Sequence, residues 1–295
     1  MKKNIIFLSV IIILSALSFY LLKKPVKTTE DFDGKILKID SAAVIEVSFE
    51  KNGKKILLSK GLNRWQIKEP GNFEPEPAAV QTMLQFINDI ELKNIISEKQ
   101  DKFSKFGVDS TGTIISVRKQ DNSSISYIIG SDDRDRNYSF YRVHNDSRIY
   151  LGTIFPRYRL SSDVKMWRDR LIVKENPDNI SYLSVRSKSG NFSAERVQNV
   201  WKAVLNGDSV TADTEKIQKT LTKLSSFRAS DFNDSLKSND VVPEVVVNYK
   251  SSSSDIGEVV LFKHHDSFLA FVKEKDQVYV ITENDYKTFE DLTKK

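Results

Sequence analysis

AVIEVSFEKNGKKILLSKGLNRWQIK, residues 43–68, sets how the rest of the chain is read. Ala43–Lys51 alternates apolar and polar residues, the period of a half-buried strand. Asn52-Gly53 is a tight-turn dipeptide, and Lys54–Lys60 reads as the returning strand. Asn63–Lys68 makes a third strand with Trp65 and Ile67 on one face. Pro70, Pro75 and Pro77 end the strand pattern and lead into a helix. Its apolar face is Val80, Met83, Leu84, Ile87 and Ile90. After a link containing Phe103 and Phe106-Gly107 come four strand-like runs: Thr113–Lys119, Ile125–Gly130, Tyr138–Val143 and Arg148–Leu151.

The same order then returns. Ile180–Arg186 matches the first strand, Ser189-Gly190-Asn191 supplies the turn, and Asn199–Ala203 matches Asn63–Ile67 at an offset of 136. A second helix turns Ile217, Leu221, Leu224 and Phe227 inward, with Thr211 or Asp213 placed to cap it. Four more strand-like runs follow, Glu244–Tyr249, Glu258–Phe262, Ser267–Val272 and Gln277–Ile281, then a terminal helix over Asn284–Leu292. Matched elements in one order indicate a tandem repeat. Hairpin connections make the sheets mainly antiparallel.

The expected fold class is therefore α+β: an N-terminal transmembrane helix, then two tandem repeats of a mainly antiparallel sheet covered by one helix. The expected divisions are a membrane anchor over 1–24, a stalk over 25–39, a first unit over 40–160, a linker over 161–176 and a second unit over 177–295.

The anchor rests on Asn4–Leu22, which has no charge and is flanked by Lys2-Lys3 and Lys23-Lys24. As a helix it would extend about 28 Å, close to the ~30 Å of a bilayer's hydrocarbon core. The rival reading is a cleaved signal peptide, supported by the small residues of Ala16-Leu17-Ser18. Apolar sequence continues past that point to Leu22, which favours an uncleaved anchor holding the chain to the lipid bilayer through residues 4–22. The expected location is the bacterial inner membrane, single-pass, with the large domain outside the cytoplasm. With no cysteine, a lipoprotein attachment is excluded.

Between the repeats, Gly152–Asn176 breaks the pattern. Phe155-Pro156-Arg157-Tyr158-Arg159 and Trp167-Arg168-Asp169-Arg170 put aromatic and cationic residues together. Tyr158, Trp167, Arg168 and Asp169 are the candidate contact residues, either for a partner or for the joint between units. In the second case Trp167 plugs the joint and Arg168 and Asp169 tie the chain down by ion pairing.

Several short motifs occur in a telling order: Trp65-Gln66-Ile67, Phe106-Gly107-Val108-Asp109, Ile129-Gly130, Tyr141-Arg142, Ile149-Tyr150-Leu151 and Trp167-Arg168-Asp169. In this the chain resembles a bacterial family known as domain of unknown function 4340. The resemblance spans most of residues 40–290 and implies a single-anchor envelope protein. It also implies an auxiliary role beside ABC transporters of the gliding-motility type. It brings no catalytic residues. The second repeat lacks an evident Phe-Gly-Val-Asp equivalent around Phe232–Leu236.

The sequence narrows the chemistry by exclusion. The net charge of +5 includes five lysines at the ends of the apolar stretch, and no basic-aromatic run suggests nucleic acid. Eleven glycines in 295 residues form no phosphate loop, so no nucleotide is expected to bind directly. Histidine occurs only at 144, 264 and 265, and adjacent strand residues point to opposite faces, so no metal centre is expected. Ser131–Asn137 holds three aspartates that could suggest Ca²⁺, but Arg134 and Arg136 alternate with them, as in a solvated hairpin loop. No catalytic residue and no cofactor is expected, although a hydrolase with an unrecognised site stays open. The leading expectation is a membrane-anchored, non-enzymatic accessory or scaffold protein of an envelope complex, with other membrane or envelope proteins as partners. The alternative is an extracytoplasmic module binding a glycan or peptide in a cleft between the repeats, with Tyr158 and Trp167 stacking on the ligand.

Overall fold

A computed structural model describes residues 39–294, except 63, 252–255, 274 and 276. The expected anchor over 1–24, and the stalk up to residue 38, lie outside the described residues. The expected fold class is corrected here. Among the described residues no helix is long and apolar enough to cross a membrane. The longest, Pro77–Asp89, has 13 residues and extends about 20 Å. What is described is two large antiparallel sheets, each accompanied by more than one helix.

The chain forms two compact units. Unit 1 runs through Phe73 and resumes over Pro77–Met166, while unit 2 comprises Glu74–Glu76 and Trp167 onward. The expected linker over 161–176 is thus divided between the units.

Unit 1 opens with a short turn, Ser41–Ala43, capped by the Asp40 side chain, which accepts from the Ala42 N–H at 2.9 Å. Strand β1 (Val44–Lys51) turns back into β2 (Lys54–Lys60), which leads to β3 (Trp65–Glu69). Asn52 and Gly53 both have positive φ, 52° and 73°, as a two-residue hairpin of this hand requires. Helix α1 (Pro77–Asp89) buries Val80, Met83, Phe86 and Ile87. Phe86 replaces the expected Leu84, which is only half-buried. Then follow β4 (Leu92–Ser97), the short helix α2 (Phe103–Phe106), and the meander β5 (Thr113–Lys119), β6 (Ser124–Asp132), β7 (Tyr138–Val143) and β8 (Ile149–Thr153). The sheet order is β3-β2-β1-β5-β6-β7-β8-β4. Helix α1 carries the chain from one sheet edge to the other.

Unit 2 contains β9 (Ile180–Ser187), β10 (Gly190–Val197), β11 (Val200–Leu205), β12 (Asp208–Val210), α3 (Thr214–Ser225) and β13 (Asp231–Asn233). It ends with β14 (Val245–Ser251), β15 (Gly257–His264), β16 (Ser267–Val272), β17 (Val278–Ile281) and α4 (Glu283–Glu290). Asp213 caps α3 by accepting from the Lys216 N–H at 2.9 Å. Ile217, Leu221 and Leu224 of α3 pack in one cluster with Leu183, Val185, Val245 and Val247 of the sheet. At roughly 1.5–3 kcal/mol for each large apolar side chain removed from water, this layer is the main stabilising term of the unit. The sheet order is β12-β11-β10-β9-β14-β15-β16-β17-β13.

Without β12 the two orders coincide strand for strand, and the repeat reaches single residues. Asn176 caps Pro177–Asn179 as Asp40 caps Ser41–Ala43. In the β1–β5 pairing the register skips Ile45, and in the β9–β14 pairing it skips Ser181. The skip explains why Val44 and Val47 are both buried although three residues apart, with Ile180 and Leu183 repeating the pattern.

Candidate functional site

The candidate contact residues divide between the two units. Tyr158 belongs to unit 1, whereas Trp167, Arg168 and Asp169 belong to unit 2. Tyr158 is 74% exposed, with the Arg159 guanidinium 5.7 Å from its ring centre. Its neighbours are tied down: Phe155 is buried against Phe86, and Arg157 pairs with Asp132 at 2.6 Å and with the Gly130 carbonyl. Burial would raise the Asp132 carboxyl, but Arg157 and the Ser139 hydroxyl outweigh it and hold the pKa below the usual range.

Trp167 is fully buried and so offers no stacking face to a ligand. Its carbonyl accepts the Glu76 N–H at 2.6 Å, and the Glu74 carbonyl accepts the Asp169 N–H at 2.8 Å. The strap Glu74–Glu76 thus lies in unit 2, joined to residues 167–169 by an isolated antiparallel bridge of Pro75 with Arg168. Arg168 is 2% exposed, stacks 3.9 Å from the Phe232 ring centre and donates to Asp234 at 2.7 Å. Lys174 bridges Asp169 at 2.9 Å and Glu74 at 2.8 Å. Burial pulls the Lys174 ammonium down, and these two carboxylates more than reverse this. Arg228 reaches Glu76 at 2.7 Å. Burial, aided by Asp169 and Glu74, lifts Tyr279 to about 12. The sequence marks Arg168 and Asp169 but not Glu74, Lys174, Arg228, Phe232 or Asp234. These come together only through the fold, and no local spacing signals them.

The motifs of unit 1 meet at a second place. Gly107 ends α2 with φ +66° and lies against Gly130 and Ser131 of β6. A Cβ on Gly130 would overlap the Phe106 carbonyl oxygen and sit 2.8 Å from the Gly107 carbonyl carbon. Arg142 donates to the Val108 carbonyl at 2.9 Å and stacks 4.4 Å from the Phe103 ring centre. Thr111 donates through hydroxyl and N–H to Asp109, bringing that carboxyl to about 2. Phe106-Gly107-Val108-Asp109, Ile129-Gly130 and Tyr141-Arg142 therefore build one junction that fastens α2 to the meander.

In the aspartate-rich turn, Asp132 is taken by Arg157, and Asp133 accepts the N–H groups of Asn137 and Tyr138. Among the described residues no group of three or more His, Asp or Glu side chains could hold a metal ion. His264 ends β15, and His265 has φ +52° in the turn. Their rings therefore meet at 4.3 Å instead of facing apart, because the strand alternation stops between them.

The fold and junctions define a tandem antiparallel-sheet protein whose prominent motifs fasten the chain to itself. The chain belongs to the family described as domain of unknown function (DUF4340), whose model matches residues 65–244. That match runs from the start of β3 to the residue before β14, so it takes in parts of both units. No curated protein and no solved structure matches the chain.

Proposed function

We propose that this chain is a non-enzymatic accessory or scaffold protein of a bacterial cell-envelope complex, such as an auxiliary subunit of an ABC-type transport or gliding-motility system. The observation that supports this reading is the open edge of unit 2. Strand β12 lies at the sheet edge with all three residues exposed, Val210 among them. Val200, on the adjoining β11, is 64% exposed. An exposed edge strand favours pairing with a partner chain. The joint's ionic groups fit the same reading, since they hold the strap in place and do not converge on a reacting atom. The test is native purification of the tagged full-length chain with quantitative mass spectrometry. Stoichiometric recovery of an ATPase and a permease, lost in a Val210→Lys variant that still folds, is the expected result. Recovery as a lone monomer counts against it.

A further inference from the structure

The outer face of the unit 2 sheet has two halves. Over β15–β17 it is apolar, with Val260, Phe262 and Leu269 buried in a cluster that includes Leu236 and Val241. Over β14, β9, β10 and β11 it is polar and forms a groove of about 280 Å³. Among its lining residues are Tyr182, Ser184, Arg186, Asn191, Ser193 and Asn248. The register explains the shape. Asn248, Ser184, Ser193 and Val204 lie opposite one another across the four strands, and the two serines make a low floor. Tyr182 and Arg186 stand two residues to either side of Ser184 on the same face and form the walls. No hydrogen bond or ion pair among the described residues uses the side chains of these six.

The first repeat supplies an internal comparison. Pairing register places Glu46 and Arg118 where unit 2 has Tyr182 and Lys250, and Ser116 where it has Asn248. In unit 1 these positions close on themselves: Arg118 binds Glu46 at 2.6 Å, and the Ser116 and Ser126 hydroxyls meet at 2.7 Å. The same scaffold can satisfy this face internally, and in unit 2 it leaves the face open.

We infer that this groove binds an acidic saccharide, a hydroxyl-rich ring carrying a carboxylate. The Tyr182 ring offers a flat face to sugar C–H groups. Asn191 and Asn248 each present a donor beside an acceptor, which matches neighbouring hydroxyls, and the Arg186 fork fits a carboxylate. Charge agrees in sign: strand alternation puts Arg186, Lys202 and Lys250 on this face against Glu195 and Glu258, and Glu258, opposite Asn248, is paired with Lys273 at 3.8 Å. This site stands independently of the complex proposed above, so either can fail alone.

The test is calorimetric titration of the full chain, with probes up to about 5 mM, where even a dissociation constant of about 1 mM is measurable. The probes are N-acetylglucosaminyl-N-acetylmuramic acid, a hyaluronan tetrasaccharide, the carboxyl-amidated form of each, and hexaglutamate. Binding of an acidic saccharide at least tenfold tighter than its amidated form is expected. Arg186→Gln should remove that difference, and Tyr182→Ala should weaken both forms. Glu50→Gln, at the position in β1 equivalent to Arg186, should change neither. Arg186 is exposed, so its variant is expected to keep the wild-type circular dichroism spectrum. The inference is overturned if no saccharide binds, or if binding is indifferent to Arg186→Gln. Tighter binding of hexaglutamate than of either saccharide also overturns it, making the groove an acidic-peptide surface.

Discussion

Gly130 and Asp146 are two residues at which single atoms decide stability in unit 1. At Gly130 the Phe106–Gly107 backbone already occupies the place of a side chain. Gly130→Ala must push α2 off β6, and we expect a loss of about 2–3 kcal/mol, read by denaturant unfolding. Gly53→Ala is the comparison: its Cβ would meet nothing within 4 Å, and only the positive φ opposes it, so about 1 kcal/mol is expected. Equal losses at the two sites would refute the junction. Asp146 is governed by charge. Burial pushes its carboxyl up, but the Arg148 guanidinium and N–H and the Tyr150 hydroxyl outweigh that and hold it at about 2. A carboxyl depressed on folding stabilises above its unfolded pKa of ~3.9. That stability is lost as pH falls through the folded value. Wild type should therefore lose on the order of 2 kcal/mol between pH 4 and pH 2 that Asp146→Asn does not lose. Parallel curves for the two proteins would show that the pairing contributes nothing.

Between elements, the critical contact is at Thr153, at the end of β8. Its hydroxyl accepts the Glu91 N–H at 3.0 Å and donates to the Asp89 carbonyl at 3.0 Å, fastening the entry of β4 to the sheet. Thr153→Val should cost about 1 kcal/mol and speed amide exchange in β4, leaving β1 and β5 protected. Exchange that rises equally across the sheet would contradict this. The sequence makes the central strands readable, because β1, β2 and β5 alternate and end at turn residues. It hides β4, β12 and β13. In β4, Leu92 alone is fully buried, and Ile96, which would suggest a core position, is 40% exposed. Strands β12 and β13 have three residues each, too few for a period to show. The helix spacing identifies α1 and α3 but assigns Leu84 where Phe86 does the packing. Of the joint, the sequence marks Arg168 and Asp169 as ion-pairing residues. Their partners Asp234 and Lys174 lack any local signal, and Tyr158 belongs to the other unit.

At the scale of the whole molecule, the strap Glu74–Glu76 breaks the simple division into two consecutive halves. A fragment beginning at residue 161 lacks the bridged strap beside residues 167–169 and the carboxylates facing Lys174 and Arg228. We expect it to be less stable than unit 2 in the intact chain by roughly 2–4 kcal/mol. A peptide covering residues 70–79 should restore part of its melting temperature. A peptide without effect would mean the strap is held only by its tether. The repeat itself has a history written in its spacing. Equivalent residues stand 136 apart from Asp40 and Asn176 through Ile45 and Ser181, but 132 apart by Ser116 and Asn248. The shortfall falls in the stretch where unit 1 has α2 and its glycine junction. In terms of descent, one ancestral gene was copied head to tail. The two lengths have since diverged at two connections, behind the crossover helix and in the turn between β6 and β7, where the spacing falls again to 129 at Tyr141 and Ala270, while the strand order has stayed the same. Freed from identical duty, one copy keeps a fastened junction and a self-paired face, and its sister keeps an open groove.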